Sequence, residues 1–86
     1  MATLKIYAVK DNAVETFGMP MFMRAHGEAI RAFADEAKNP ESQIAKHKAD
    51  FDLYFLGYYD QEKGKFESGN DQDLPERIAR GTDYEN

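Results

Sequence analysis

The stretch that decides the fold is residues 51–59, which read Phe-Asp-Leu-Tyr-Phe-Leu-Gly-Tyr-Tyr. Aromatic residues are enriched in β-strands, and a bounded apolar run of this length is typical of a strand. Side chains alternate along a strand, so the apolar ones divide into two sets. These are Phe51, Leu53, Phe55 and Tyr59 on one side and Tyr54, Leu56 and Tyr58 on the other. Residues 51–59 therefore predict a strong strand that is apolar on both faces.

The second apolar side of this strand needs an explanation, because an antiparallel sheet in a small protein usually has one face in water. Three interpretations fit: the C-terminal helix covers this side, a second subunit covers it, or a ligand covers it. An open aromatic side stacks the bases of single-stranded nucleic acid at roughly 1–3 kcal/mol per base. The strand has more apolar surface than one short helix can cover, which predicts a homodimer through Tyr54, Leu56 and Tyr58.

The sequence on either side of residues 51–59 predicts three further strands. Thr3–Val9 alternates with a period of two, and Met21–Met23 reads as a short strand after a Gly-Met-Pro break. Asp60–Gly64 predicts a hairpin connection whose final glycine takes a left-handed conformation. Lys65–Glu67 is then the returning strand. Together these segments predict a small, mostly antiparallel sheet of about four strands.

One main helix is predicted between Gly27 and Lys38. Glu28 in its first turn and Lys38 in its last turn complement the helix dipole, and an Asn-Pro pair ends it. The apolar residues recur at helical spacing, and they are Ile30, Phe33, Ala34 and Ala37. This apolar stripe predicts that the helix packs on one face of the sheet.

The C-terminal segment predicts a second, shorter helix. Residues 68–73 read as a polar linker, and residues 73–76, Asp-Leu-Pro-Glu, have the capping chemistry of a helix start. Arg77–Arg80 would then form one or two turns. The sequence therefore predicts an α+β fold with a single domain over residues 1–67. A polar linker and a short C-terminal helix or tail follow over residues 68–86.

The composition narrows the classes of protein. Of the 86 residues 42% are hydrophobic, which is enough for one compact core, and the absence of cysteine excludes disulfides and thiolate metal sites. The sequence shows neither a run of 18 apolar residues nor signal-peptide features, so a cytosolic protein is expected. The net charge of −5 arises in residues 51–86, where nine Asp and Glu stand against four Lys and Arg. An acidic chain is a poor default for nucleic-acid binding, but the balanced residues 1–50 allow a locally basic face.

The sequence contains no catalytic or metal-binding pattern. His26 and His47 lack metal-ligand spacing, and neither a Gly-rich phosphate loop nor a nucleophile elbow is present. We therefore expect no enzymatic activity, no metal and no cofactor. Basic side chains are the remaining candidates, because they contact phosphate in nucleic-acid complexes. A solvated turn is the simpler interpretation of the local cluster Lys46-His47-Lys48. The candidates are Arg24, Arg31, Lys46 and Lys48.

Three stretches together resemble the small nonstructural protein of gokushoviruses, the Microviridae phages with single-stranded DNA genomes. They are residues 5–7, residues 23–33 with their Gly-Glu-Ala helix start, and scattered matches from Ile44 to Lys65. Lys48 departs from the family, which commonly has proline after the histidine. The resemblance implies a nonstructural phage protein of the bacterial cytoplasm, from a family with no established enzymatic activity that is connected with genome replication or packaging.

The leading hypothesis from the sequence is a protein that binds single-stranded DNA. Its phosphate contacts would be made by Arg24, Arg31, Lys46 and Lys48. The residues that stack bases, or that form the dimer contact instead, would be Tyr54 and Tyr58. The rival hypothesis is a protein–protein interaction module that binds a replication initiator, a procapsid or a host factor through edge strands and exposed aromatic residues.

Overall fold

The computed structural model describes residues 3–84, which form one antiparallel sheet with helices on one face. The strands are β1 (Thr3–Asp11), β2 (Thr16–Phe17), β3 (Met21–Met23), β4 (Phe51–Asp60), β5 (Lys65–Ser68) and β6 (Glu76–Arg80). The helices are α1 (His26–Lys38) and α2 (Gln43–Lys46), with short 3₁₀ turns at Lys48–Asp50 and Gly81–Asp83. The predicted α+β class and mostly antiparallel sheet are confirmed. The strand count of about four is wrong, since the described residues contain six.

The six strands occupy four rows of the sheet, and this explains the miscount. β1 and β4 are the central rows, paired from Thr3 opposite Asp60 to Asp11 opposite Phe51. β2 and β3 follow one another along the outer edge of β1, and β5 and β6 do so along the outer edge of β4. Each outer row is interrupted, by residues 18–20 in one and by residues 69–75 in the other. The four predicted strands contribute one to each row, and strand order was not predicted from the sequence.

The predicted C-terminal helix at Arg77–Arg80 is wrong, because these residues belong to β6. Four residues are too few for a stable isolated helix, whereas pairing with β4 gives their backbone groups along one edge hydrogen-bond partners. Ala79 is buried opposite Leu53 in that pairing. Asp73 does not start a helix either, since its φ is 54°. The turn before β6 is instead organised by the side chain of Asn70, which donates to the Leu74 carbonyl at 2.8 Å.

The hydrophobic core lies between the sheet and α1, on the side that we call the helix face. It consists of Tyr7, Ala29, Phe33, Leu53, Phe55 and Ala79, with Ile30, Ile44 and Tyr84 among the side chains packed against it. The apolar stripe predicted for α1 is confirmed, since Phe33 and Ala37 are buried and Ile30 packs on the core. Ser42 caps the N-terminus of α2, where its side chain accepts a hydrogen bond from the Ile44 N–H at 3.1 Å. Ile44 packs on the core from this helix.

A bulge in β4 changes which side chains share a face. Ile6 pairs with Gly57 but Tyr7 pairs with Phe55, so Leu56 is an extra residue in β4. Such an insertion reverses the alternation beyond it. Gly57 accommodates the bulge with a φ of 147°, and a Cβ there would collide with the Glu67 carbonyl oxygen.

The bulge overturns part of the predicted division of β4. Tyr58 lies opposite Lys5 and packs against the core on the helix face. Tyr59 lies opposite Leu4, on the other face. The prediction that Tyr58 shares a side with Tyr54, and that Tyr59 shares one with Phe55, is therefore wrong.

Candidate nucleic-acid interface

The side of the sheet opposite the helix face, which we call the open face, is rich in aromatic side chains. The aromatic residues are Phe17, Phe22, Tyr54, Tyr59 and Phe66, and they come from β2, β3, β4 and β5. Phe17, Phe22 and Phe66 are 37%, 43% and 67% exposed, and both tyrosines are half-buried. Large apolar side chains exposed together on one surface indicate a contact site.

The rings on the open face contact one another across the strands. The Phe17 and Tyr54 ring centroids lie 5.3 Å apart and those of Phe22 and Tyr59 lie 5.8 Å apart, both edge to face. The ring centroid of Tyr59 also lies 5.1 Å from that of Phe66 in the neighbouring strand. These contacts hold the rings in place before any ligand arrives, which lowers the entropy cost of binding to them.

Three basic side chains belong to the same face, at the end of the sheet that carries Phe17 and Tyr54. Lys10 pairs with Phe17, and its Nζ lies 5.5 Å from the Phe17 ring centroid and 6.0 Å from that of Tyr54. Arg77 pairs with Tyr54, and Arg80 pairs with Asp52. We call this the basic end of the open face.

Asp52 is the one carboxylate at a strand position of the open face within residues 3–84. It is buried, lies 3.8 Å from Arg77 Nη1 through its Oδ2, and accepts a 3.1 Å hydrogen bond from Asn12. Three positive charges against one partnered carboxylate leave the strands of the open face with a net positive charge. A chain with a net charge of −5 thus has more basic than acidic residues at the strand positions of its aromatic face.

Within residues 3–84, the strand residues at the other end of the open face carry no charge, and we call this the apolar end. It is formed by Leu4, Ile6, Phe22, Tyr59 and Phe66. The two ends therefore suit different contacts: phosphate and base at the basic end, and apolar groups alone at the apolar end.

The structure does not bring the six predicted DNA contacts together. Tyr54 lies on the open face, but Tyr58 lies on the helix face. There the ring centroid of Tyr58 is 5.3 Å from that of Phe55. Lys48 is engaged elsewhere, since its Nζ donates to the Tyr84 carbonyl at 2.7 Å. The three that remain are exposed outside the sheet: Arg24 after β3, Arg31 on α1 and Lys46 at the end of α2.

The predicted dimer contact of Tyr54, Leu56 and Tyr58 is not one continuous surface in the structure. The bulge lies between Tyr54 and Tyr58 and places them on opposite faces, with Leu56 as the inserted residue. The homodimer itself stays a prediction.

Sequence reasoning missed most of the open face for two reasons. Phe17, Phe22 and Phe66 lie in short strands whose phase cannot be read without knowing their pairing partners. Arg77 and Arg80 were assigned to a helix. One usable signal existed, because Lys10 follows Leu4, Ile6 and Ala8 at a spacing of two and so belongs to their face.

His26 is fixed beneath the sheet rather than placed at a reactive surface. Its Nδ1 lies 2.6 Å from the Tyr7 hydroxyl, and its ring centroid lies 4.8 Å from that of Phe55. Burial raises the pKa of Tyr7 to about 12, with smaller contributions from Tyr58 and Glu28, so the hydroxyl stays protonated. Across residues 3–84, no group of three or more His, Cys, Asp or Glu side chains is arranged to hold a metal ion.

The fold and the open face define a class of small α+β protein whose sheet is covered by helices on one side and presents aromatic rings on the other. The family described as phage ORF5 protein matches residues 4–84, and the chain belongs to this family. The match confirms the resemblance to a small phage protein, and a gokushovirus origin is consistent with it. Comparisons with curated proteins and with solved structures found no match. Among the described helices, none has the length and apolar character to cross a membrane.

Proposed function

We propose that this phage protein is a non-enzymatic accessory factor that binds single-stranded DNA on its open face, in the bacterial cytoplasm, during genome replication or packaging. The observation that carries the proposal is the combination of exposed aromatic rings with Lys10, Arg77 and Arg80 on one face of an acidic chain. Aromatic platforms bordered by positive charge are the usual means of binding single strands without sequence preference.

The geometry favours a single strand over a duplex. Stacking on Phe17 or Tyr54 requires an unpaired base whose flat side is accessible, and a duplex buries that side in its own stack. Each stacked base contributes roughly 1–3 kcal/mol. Lys10 and Arg77 lie beside these rings, so a phosphate that follows a stacked base can reach a positive charge.

The acidity of the rest of the chain is compatible with DNA binding, and it favours an approach of the DNA towards the open face. Most carboxylates lie outside the strands of the open face, and they repel a polyanion that approaches from any other side. Repulsion elsewhere also predicts modest affinity and a strong dependence on salt.

The proposal is tested by fluorescence anisotropy with a labelled oligothymidine at low salt. The wild type should bind saturably, and Phe17→Ala and Tyr54→Ala should each weaken binding roughly five- to a hundredfold through loss of a stacked base. Arg31→Ala is the matched control, because it removes an exposed positive charge on α1. A loss of affinity in the Arg31 variant with none in the ring variants would place the site on the helices instead.

The apolar end supports a second candidate, an interaction module for a replication initiator, a procapsid or a host protein. Phe22, Tyr59 and Phe66 form an uncharged aromatic cluster of the kind found at the centre of protein interfaces. Pull-down from infected cells with and without nuclease separates the candidates. Partners lost on nuclease treatment support DNA binding, and partners that survive it and depend on Phe22 support the module.

A further inference from the structure

β5 (Lys65–Ser68) is an outer strand with one free edge. It pairs with β4 on one side, and no other strand within residues 3–84 pairs with it. All four of its residues are exposed. A strand in this position presents unpaired backbone N–H and C=O groups and is a template for another strand.

The sequence of β5 is complementary to itself when it is read in the opposite direction. If two copies pair antiparallel with Phe66 at the centre, Lys65 of each copy lies opposite Glu67 of the other. Opposite charges placed directly across two strands stabilise the pair, and an aromatic pair at the centre adds to this. Phe66, 67% exposed in the single chain, would gain a partner ring.

The other outer segments are poorer templates for a second copy. The row formed by β2 and β3 is interrupted between Phe17 and Met21 by a segment containing Pro20, which has no backbone N–H. In β6 the open-face side chains Arg77 and Arg80 are both positive, so two copies would set like charges near one another. β5 combines a free edge with complementary charges.

We infer that two copies of this chain associate through β5, antiparallel and centred on Phe66. The two-fold axis is then perpendicular to the sheet, so the four rows of each copy join into one sheet of eight rows. Both open faces lie on the same side of that sheet, and the two Phe66 rings meet at its centre. The inference concerns assembly and stands apart from DNA binding; if both hold, the aromatic platform is doubled.

A charge exchange within β5 tests the inference by sedimentation velocity over a range of concentrations. Lys65→Glu creates a strand with two acidic residues, and Glu67→Lys creates one with two basic residues. Each variant alone should dissociate about tenfold more readily than the wild type, because both cross-strand pairs become repulsive. An equimolar mixture should recover the dimer, and so should the double variant Lys65→Glu/Glu67→Lys.

Two matched controls carry the same charge changes outside β5. Lys46→Glu at the end of α2 and Glu41→Lys before α2 alter exposed residues and should leave the dimer unchanged. Recovery in the mixture rules out misfolding as the cause of dissociation in the single variants. A wild type that remains near 9.8 kDa at the highest concentration would overturn the inference. The inference would also be overturned if both single variants dimerise as well as the wild type, or if the mixture does not restore the dimer.

Discussion

The helix face and the open face are built on the same two central strands, yet they use aromatic side chains in opposite ways. On the helix face Tyr7 is fully buried, and its hydroxyl is bonded to His26. On the open face Tyr59 is half-buried and contacts the rings of Phe22 and Phe66, both of which are exposed. The same residue type therefore serves the core on one side and a surface on the other. The phase of each strand decides which face its rings occupy.

The largest contrast between the faces should appear in stability. Leu53→Ala removes a fully buried side chain and should lower the free energy of unfolding by about 2–5 kcal/mol. Tyr54→Ala, the adjacent residue on the open face, should cost about 1 kcal/mol or less. Urea denaturation followed by circular dichroism measures both. Similar losses in the two variants would mean that the open face is also covered.

A substitution at the bulge in β4 should destabilise the protein nearly as much as one in the core. Gly57→Ala should destabilise the protein by about 1–3 kcal/mol, because the new methyl group meets the Glu67 carbonyl and the backbone has a positive φ. Gly27→Ala in α1 is the matched control, since a Cβ there meets nothing within 4 Å. The control should be neutral or slightly stabilising, as alanine favours a helix. Equal tolerance at both positions would contradict the bulge.

The buried hydroxyl on the helix face gives a pH test. The pKa of Tyr7 is about 12 in the folded chain against an ordinary value of 10.0, so its contribution to stability is complete below pH 10. The contribution is lost as the pH rises from 10 towards 12. Tyr7→Phe should lower the free energy of unfolding by about 1 kcal/mol at neutral pH, because the hydrogen bond to His26 is lost. The decrease of this free energy above pH 10 should be smaller in the variant than in the wild type.

Tyr59→Phe is the control for this experiment, because it removes a hydroxyl from the open face. In denaturation experiments between pH 9 and pH 12, the free energy of unfolding of this variant should decrease as it does in the wild type. A decrease that persists unchanged in the Tyr7 variant would assign the alkaline instability to another group.

The smallest expected effect concerns the basic end. Arg77→Gln removes one proposed phosphate contact and should lower the slope of log Kd against log salt concentration by about 0.7. Arg31→Gln on α1 should leave the slope unchanged, which makes it the matched control. Anisotropy titrations at several salt concentrations measure both slopes. Equal slopes for wild type and the Arg77 variant would remove this residue from the interface.

Much of the fold was predictable because the deciding patterns are local. The strand at residues 51–59, the apolar stripe of α1 and the turn closed by Gly64, whose φ is 62°, all follow from short-range preferences. The bulge at Leu56 was not predictable, because it depends on how β1 pairs with β4. β6 was not predictable either, since its capping-like residues agree with a helix until the free edge of β4 is known.

The candidate site was less predictable than the fold for the same reason. Tyr54 was predicted on the side of the strand opposite Leu53 and Phe55, and it occupies that side because it lies before the bulge. Tyr58 and Tyr59 lie beyond the bulge and exchange sides. The basic residues nearest to the rings, Lys10 and Arg77, are 44 and 23 positions from Tyr54 in the sequence, so only the sheet brings them together.

Because β6 follows the other described strands in the sequence, the side chains of the open face are made in a fixed order during translation. A ribosome makes β1 to β5 before β6, so all five aromatic rings of the face exist before Arg77 and Arg80 are translated. Until then Lys10 is the single basic side chain at a strand position of that face among the described residues. The growing chain, held beside its own messenger RNA, would acquire two of the three basic side chains of its open face only when the sheet is nearly complete. The order of synthesis would thus delay the attraction of a polyanion to the open face until folding can finish.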